Sequence, residues 1–146
     1  MAVLEITGVE SVERLGKKLH KVAEGRWRRA LMSNVAEEVI ELVREGFERE
    51  SDPYGAKWAS LKSRSGRILQ DTGGLRSSFH RKALSETSTT VGAGKTYARY
   101  HQDGTKRMDG TKRMSARKMV PDGDIPGEWR SRINEIAALA IKQAFG

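Results

Sequence analysis

One apolar stripe with the period of an α-helix runs from Trp27 to Phe47, and it constrains the fold more than any other feature of the chain. Its members recur at helical spacing: Trp27, Leu31, Val35, Val39, Leu42, Val43 and Phe47. The opposite side carries glutamates 37, 38, 41, 45 and 48, so the pattern predicts a long amphipathic helix with an acidic solvent face. Pro53 restrains the residue before it to extended conformations, and Gly55 suits a tight turn, so helical periodicity ends there.

The residues before this helix predict a short strand and a first helix. Polar and apolar residues alternate over residues 2–7, as they do in a strand. Thr7 and Glu10 then have the spacing of a capping box, and apolar residues recur at helical spacing over about residues 9–24.

Three short runs in the middle of the chain are rich in β-branched or aromatic residues and predict strands, at about residues 79–84, 87–92 and 97–101. Beyond Pro126 an apolar stripe that extends to Ala144 predicts a C-terminal helix.

These elements predict an α+β fold with a small antiparallel sheet, two N-terminal helices, one C-terminal helix and long basic loops. A length of 146 residues is typical of one domain, which we place at 1–146 with extended loops at about 51–68 and 103–119. Because only 37% of the residues are hydrophobic and 32% are charged, the core is expected to be modest.

Charge is concentrated in one region. The chain has a net charge of +8, and residues 51–119 hold fifteen Lys and Arg against five Asp and Glu. This concentration indicates a surface that meets polyanions or acidic partners. The chain has no cysteine, no apolar run long enough for a membrane span and no secretory signal at its start, so we expect a cytoplasmic protein with no membrane partner.

Enzymatic chemistry has little support in the sequence. The "GAGKT" of residues 92–96 resembles the end of a P-loop, but Thr89 occupies the place of the first glycine and an aromatic, strand-like run follows, so a hairpin turn is favoured. Histidines 20, 80 and 101 are far apart and form no metal-ligand pattern. His101 is interpreted as a hydrogen-bonding structural residue, and flanking cations are expected to keep Asp103 and Asp109 ionised.

The basic residues leave two interpretations open. They could neutralise phosphates, or they could form a solvated face or pair with an acidic neighbour. No recognition helix, zinc finger or interleaved stacking aromatics supports specific reading of nucleic acid. The candidate cations are Arg64, Arg67, Arg76, Arg81, Lys82, Lys106, Arg107, Lys112, Arg113, Arg117 and Lys118.

A motif spread over residues 47–119 resembles the phage virion morphogenesis family, the tail-completion or neck proteins of tailed phages and prophages. A Phe and acids at a helix end precede Pro-x-Gly-x-x-Trp-x-x-Leu; Leu-x-x-Thr-Gly-x-Leu follows, and then Tyr-Ala-x-x-His-x-x-Gly and an arginine. The matching residues are Phe47, Pro53, Gly55, Trp58, Leu61, Leu69, Thr72, Gly73, Leu75, Tyr97, Ala98, His101, Gly104 and Arg117. Ser115 departs from the family's proline. The doubled "GTKRM" of residues 104–108 and 110–114 fills the family's variable loop, where we expect a lengthened hairpin or arm.

The resemblance implies a structural protein without catalysis or cofactor. It implies a virion protein that assembles in the host bacterial cytoplasm, completes the tail or neck, helps to join head to tail and forms part of the channel for DNA. Implied partners are further copies of the chain in a hexameric ring, neighbouring neck, head-adaptor or tail proteins, and non-specific DNA. Expected contacts of the basic arm are Lys106, Arg107, Lys112, Arg113 and Lys118. The alternative is a free, non-specific nucleic-acid-binding protein that uses residues 51–119.

Overall fold

A computed structural model describes residues 14–20, 24–62 and 64–145, without the side chain of the last. The described residues form five helices and two antiparallel sheets of two strands each, which confirms the α+β prediction. The elements are α1 (residues 14–20), α2 (Gly25–Arg49), α3 (Gly74–Ser77), β1 (Phe79–Leu84), β2 (Thr89–Ala93), α4 (Ala98–Asp103), β3 (Thr105–Lys106), β4 (Lys112–Met114) and α5 (Gly127–Phe145).

The predicted N-terminal elements lie largely outside the described residues. The strand at residues 2–7 and the capping box of Thr7 and Glu10 fall there, and so do the first residues of the helix predicted over about 9–24. Within that helix, residues 14–20 are helical.

The core forms around the C-terminal half of α2. Phe47 is fully buried, and its ring meets Trp58 edge-to-face at 5.3 Å between centroids and Phe79 at 6.0 Å. Such geometries suit the aromatic quadrupole. The buried residues around these rings come from α2 itself and from several later segments of the chain: Leu42, Val43, Ile68, Leu75, Ala98, Met119 and Trp129.

The loop after α2 satisfies the carbonyl groups that the end of the helix leaves open. Glu50 ends the helix in the left-handed conformation, with φ of 52°. Arg67 donates to the carbonyl oxygen of Phe47 at 3.2 Å, and Lys57 donates to that of Arg49 at 2.7 Å. Cations at this end also interact favourably with the helix dipole.

Helix α5 packs along α2 and changes the interpretation of the acidic face. Arg132 of α5 donates from Nε to Glu38 at 2.7 Å and from Nη1 to Glu45 at 2.6 Å. Hydrogen bonding to Glu45 and Glu38 raises the pKa of Arg132. The prediction that this whole acidic row faces solvent is therefore wrong for Glu38 and Glu45, because the sequence pattern of α2 alone does not reveal the cation of a second helix.

Strands β1 and β2 pair as an antiparallel hairpin, from Phe79 opposite Ala93 to Leu84 opposite Thr89, with an irregularity between Arg81 and Ala83. The first two of the three predicted strands are thus present, and β2 begins two residues later than expected.

The third predicted strand, at residues 97–101, is wrong because those residues belong to the turn before α4 and to α4 itself. Tyr97 and His101 are four residues apart and meet edge-to-face at 5.9 Å, a contact that helical spacing provides. Burial of Ala98 on one helical side outweighs the strand propensity of its neighbours. The favoured hairpin turn at "GAGKT" is wrong for the same reason: β2 ends at Ala93, and the turn leads into α4.

Candidate assembly site

Motif residues from four separate segments line one open groove with a volume of about 210 Å³. The groove lies between the loop after α2, the turn into α3, helix α4 and the segment after β4. Its motif residues are Leu61, Leu69, Thr72, Gly73, Leu75, Tyr97, His101 and Arg117. Residues far apart in the sequence therefore meet at a common surface.

The remaining motif residues lie in the core and in two turns. Pro53 and Gly55 form a turn that the Asp52 carboxylate organises, since it accepts from the backbone N–H groups of Tyr54 and Ala56, both at 2.9 Å. Gly55 has a φ of +94°, which disfavours a side chain at this position.

Trp58 connects the loop after α2 to the segment after β4. It is 6% exposed, and its indole Nε1 donates to the carbonyl oxygen of Lys118 at 2.9 Å. Arg117 binds the same loop, through Nε to the carbonyl oxygen of Ala59 at 2.8 Å and through Nη2 to that of Ser60 at 3.0 Å. These contacts fix the segment that follows the doubled sequence.

His101 faces the groove from α4 beside Tyr97. Its Nδ1 is buried and has no hydrogen-bond partner among the described residues. Burial and, to a smaller extent, the charge of Arg117 lower the pKa of His101. A neutral imidazole in this position suits packing better than proton transfer.

The two copies of "GTKRM" pair with each other as the two arms of a hairpin. Thr105 lies opposite Met114, and Lys106 lies opposite Lys112. At the base, Gly104 has a φ of +74°, and a Cβ there would come within 2.7 Å of the carbonyl oxygen of Met114. A larger residue at this position would push the two arms apart.

Asp109 separates the two copies and shapes the tip. Its carboxylate accepts from the hydroxyl of Thr111 at 2.7 Å and from the backbone N–H of Thr111 at 2.9 Å. The hydroxyl bond is the main reason why the pKa of Asp109 is lowered. The flanking cations, which we expected to play this part, are not among the causes.

A model of the phage virion morphogenesis family matches residues 8–138 of the 146. The chain belongs to the phage virion morphogenesis family. The match confirms the resemblance found in the motif and extends to both flanking helices. No curated protein and no solved structure matches the chain significantly.

Membership in this family makes the chain a protein of phage virion assembly, and the family is a structural one. Among the described residues, no group of three or more His, Cys, Asp and Glu side chains is placed to hold a metal ion. None of the helices in the described ranges is long and apolar enough to cross a membrane.

The structure divides the candidate cations of this family member into two sets. The first set makes contacts within the subunit: Arg64 with Asp71, Arg67 with the end of α2, Arg76 with Glu48, Arg81 with Ser33, Arg117 with the loop after α2, and Lys118 with Asp122. The second set has no side-chain hydrogen bond or ion pair within the described ranges, and it comprises Lys82, Lys106, Arg107, Lys112 and Arg113. Four of these five belong to the hairpin.

Gln102 is a residue beside the site that the sequence did not reveal, and it fixes the segment after β4. Its Nε2 donates to the carbonyl oxygen of Val120 at 2.8 Å, and its Oε1 accepts from the N–H groups of Met119 at 2.8 Å and Val120 at 3.2 Å. The amide thus pairs with the backbone as a neighbouring strand would. Its position four residues after Ala98, on the inner side of a helix, is a signal that the strand prediction concealed.

Proposed function

We propose that the chain completes the neck or tail of a phage particle and helps to join head to tail. It acts as one subunit of a hexameric ring around the channel through which DNA passes. The observation that carries this proposal is the hairpin of β3 and β4, which exposes four cations and the full side chain of Met108. An exposed apolar tip on a basic arm suits insertion into a neighbouring subunit.

The pairing of the hairpin itself favours an acidic partner. Lys106 lies directly opposite Lys112. Like charges across a strand pair are destabilising by a few tenths of a kcal/mol up to about 1 kcal/mol. An anionic neighbour would relieve this repulsion, so binding it is favoured electrostatically.

A ring requires a second, complementary patch on the same subunit, because a head-to-tail contact joins two different surfaces. Glu37 and Glu41 of α2 are exposed and suit this role. We therefore propose that the basic arm of one copy meets the acidic side of α2 in the next. We propose six subunits in the ring by analogy with tail symmetry. The outer faces of this hexameric ring would contact neck, head-adaptor or tail proteins.

Imaging of phage particles made without this protein tests the proposal. We expect DNA-filled heads and separate tails, together with rescue of joined particles when the protein is supplied in the host cytoplasm. Normal joined virions in the absence of the protein would contradict the proposed role in joining head to tail.

The exposed cations also favour the alternative, a free nucleic-acid-binding protein that acts outside the particle. That alternative requires a monomer or dimer that binds duplex DNA tightly in moderate salt. Binding that disappears by about 0.2 M salt supports the neck protein instead, because weak electrostatic contact suffices for a channel wall.

A further inference from the structure

We propose that a second basic groove, outside both the motif groove and the hairpin, binds the phosphate backbone of duplex DNA. The groove is open, has a volume of about 610 Å³, and lies between β1 and the turn that leads into α4. His80 and Lys82 line one side, and Lys95 and Arg99 line the other. All four side chains are exposed.

Two of these side chains lie against glycines of β2 and the following turn. Lys82 lies across Gly92, where a Cβ would come within 2.9 Å of Lys82 Cε. The imidazole Nδ1 of His80 lies 2.9 Å from the carbonyl oxygen of Ser78, to which it donates, and a Cβ on Gly94 would lie 3.6 Å from His80 Cε1. A side chain at Gly92 would therefore displace Lys82, whereas one at Gly94 would only come into ordinary contact with His80.

The charge of the groove has one sign. No carboxylate lines it within the described part of the chain, and Lys82 and Lys95 make no side-chain hydrogen bond or ion pair there. Arg99 stacks over the Tyr100 ring at 4.8 Å and bonds its hydroxyl, and Asp103 one turn later acts on it electrostatically. A cleft lined by like charges focuses its field and concentrates anions.

The lining favours nucleic acid over a protein partner. Protein interfaces depend on buried apolar or aromatic anchors, whereas DNA-binding surfaces are polar and strongly positive. Between its cations this groove presents glycine, alanine and threonine, and Ala98 is already buried. It therefore offers charge without an apolar anchor.

The shape favours a duplex over a nucleotide or an unpaired strand. An open groove does not enclose a small ligand as nucleotide pockets do. Unpaired strands are bound by stacking of bases on aromatic rings, and the lining contains no Phe, Tyr or Trp. The sequence "GAGKT" thus contributes a phosphate-binding surface without forming a P-loop.

The inference is independent of ring formation and of head-to-tail joining, since it concerns one subunit. Its test is fluorescence anisotropy of a labelled DNA duplex titrated with the full chain at several salt concentrations. The groove variant combines Lys82→Gln, Lys95→Gln and Arg99→Gln. The matched control combines Arg26→Gln, Arg130→Gln and Lys142→Gln, which removes the same charge from exposed positions on α2 and α5. A third variant, Lys82→Arg with Lys95→Arg, keeps the charge of the groove.

We expect the groove variant to lower the slope of log Kd against log salt by about 1 for each phosphate that the groove no longer neutralises, and so by roughly 3 in total. The control and the arginine variant should keep the original slope, and thermal melting should show all variants folded. Equal slopes in the groove variant and the control would overturn the proposal. It would also be overturned if polyglutamate competed as well as DNA of equal charge, which would indicate an acidic protein, or if micromolar ATP displaced the duplex, which would indicate a nucleotide.

Discussion

The indole N–H of Trp58 donates to the carbonyl oxygen of Lys118 across sixty positions of sequence, at 2.9 Å. This bond joins the loop that caps α2 to the segment that follows the basic hairpin. The segment after the hairpin is therefore anchored to the aromatic core, through the contact of Trp58 with Phe47.

Trp58→Phe should lower the free energy of unfolding by about 1–3 kcal/mol, because the ring contact with Phe47 survives while the carbonyl of Lys118 loses its donor. Trp58→Ala should cost about 3–5 kcal/mol, since it also leaves a cavity. Urea unfolding followed by circular dichroism measures both. The control Tyr54→Phe removes an exposed hydroxyl that bonds Asp124, and it should cost less than Trp58→Phe. A Trp58→Phe protein as stable as the original would show that the indole bond is irrelevant.

Gln102→Met keeps the length of the side chain and removes all three of its bonds to the backbone of Met119 and Val120. We expect a loss of about 1–3 kcal/mol in the free energy of unfolding, because these partly buried groups would lack partners. The matched control is Gln143→Met on the exposed side of α5, with an expected change within about 0.5 kcal/mol. Equal effects of the two substitutions in urea unfolding would contradict the role of Gln102.

The sequence predicted the long helix α2 and the two strands β1 and β2 because their patterns are local. It failed at α4, where Tyr97 and Tyr100 suggested a strand and the surrounding packing selected a helix. The sequence also revealed the motif residues but not the groove that they line, because no local pattern shows that Leu61, Tyr97 and Arg117 meet. Contacts between distant segments depend on the whole fold.

The same reason explains why the sequence does not sort the cations. Arg67 and Lys106 are both basic residues in predicted loops, but Arg67 lies against the end of α2 and Lys106 projects from strand β3 of the hairpin. The pairing of the two "GTKRM" copies agrees with the expected lengthened hairpin or arm, but its register depends on contacts that the sequence does not show.

Arg132→Met should destabilise the packing of α5 on α2, because it leaves the half-buried Glu38 without a cation and Glu45 with only Arg49, at 3.6 Å. The expected loss in the free energy of unfolding is roughly 1–3 kcal/mol, between the values for exposed and fully buried pairs. Arg44→Met is the control, because Arg44 pairs with Glu41 at an exposed site and should cost less than about 1 kcal/mol. Adding Glu38→Gln and Glu45→Gln to Arg132→Met should recover stability; failure to recover it would point to impaired packing rather than to unpaired charge.

His101 should make stability depend on pH. Burial and the charge of Arg117 lower its pKa in the folded chain, so the unfolded chain binds more protons as the pH falls below about 6.5. The contribution of His101 to the free energy of unfolding is therefore fully present above that pH. It is lost as the pH falls towards the lowered pKa, by at most about 1.4 kcal/mol per pH unit.

His101→Phe keeps a ring beside Tyr97 and removes the titrating group. Urea unfolding at pH 7.5, 6.5 and 5.5 should give a shallower loss of stability in this variant than in the original chain. Identical pH dependence in the two proteins would rule out His101 as the source.

Deletion of residues 105–110 removes one copy of the repeat and with it the hairpin, while Gly104 remains at the base. The subunit should stay folded, because Trp58, Gln102 and Arg117 hold the following segment independently of the arm. Shortening a loop changes its closure free energy by only about 0.6 kcal/mol for each halving. Assembly should nevertheless weaken, since the deletion removes two cations and the exposed Met108 along with the arm.

Urea unfolding measures the first expectation, and sedimentation together with rescue of phage joining measures the second. A second variant tests the cause: replacement of Lys106, Arg107, Lys112 and Arg113 by Gln keeps the length of the arm and removes its charge. If charge drives the contact, both variants should fail to rescue, whereas failure of the deletion alone would assign the contact to the shape of the arm and to Met108. A deletion variant that assembles and joins particles normally would show that the hairpin is dispensable. No other exposed segment of the described chain could take its place, because none carries four cations without an acidic partner in so short a span.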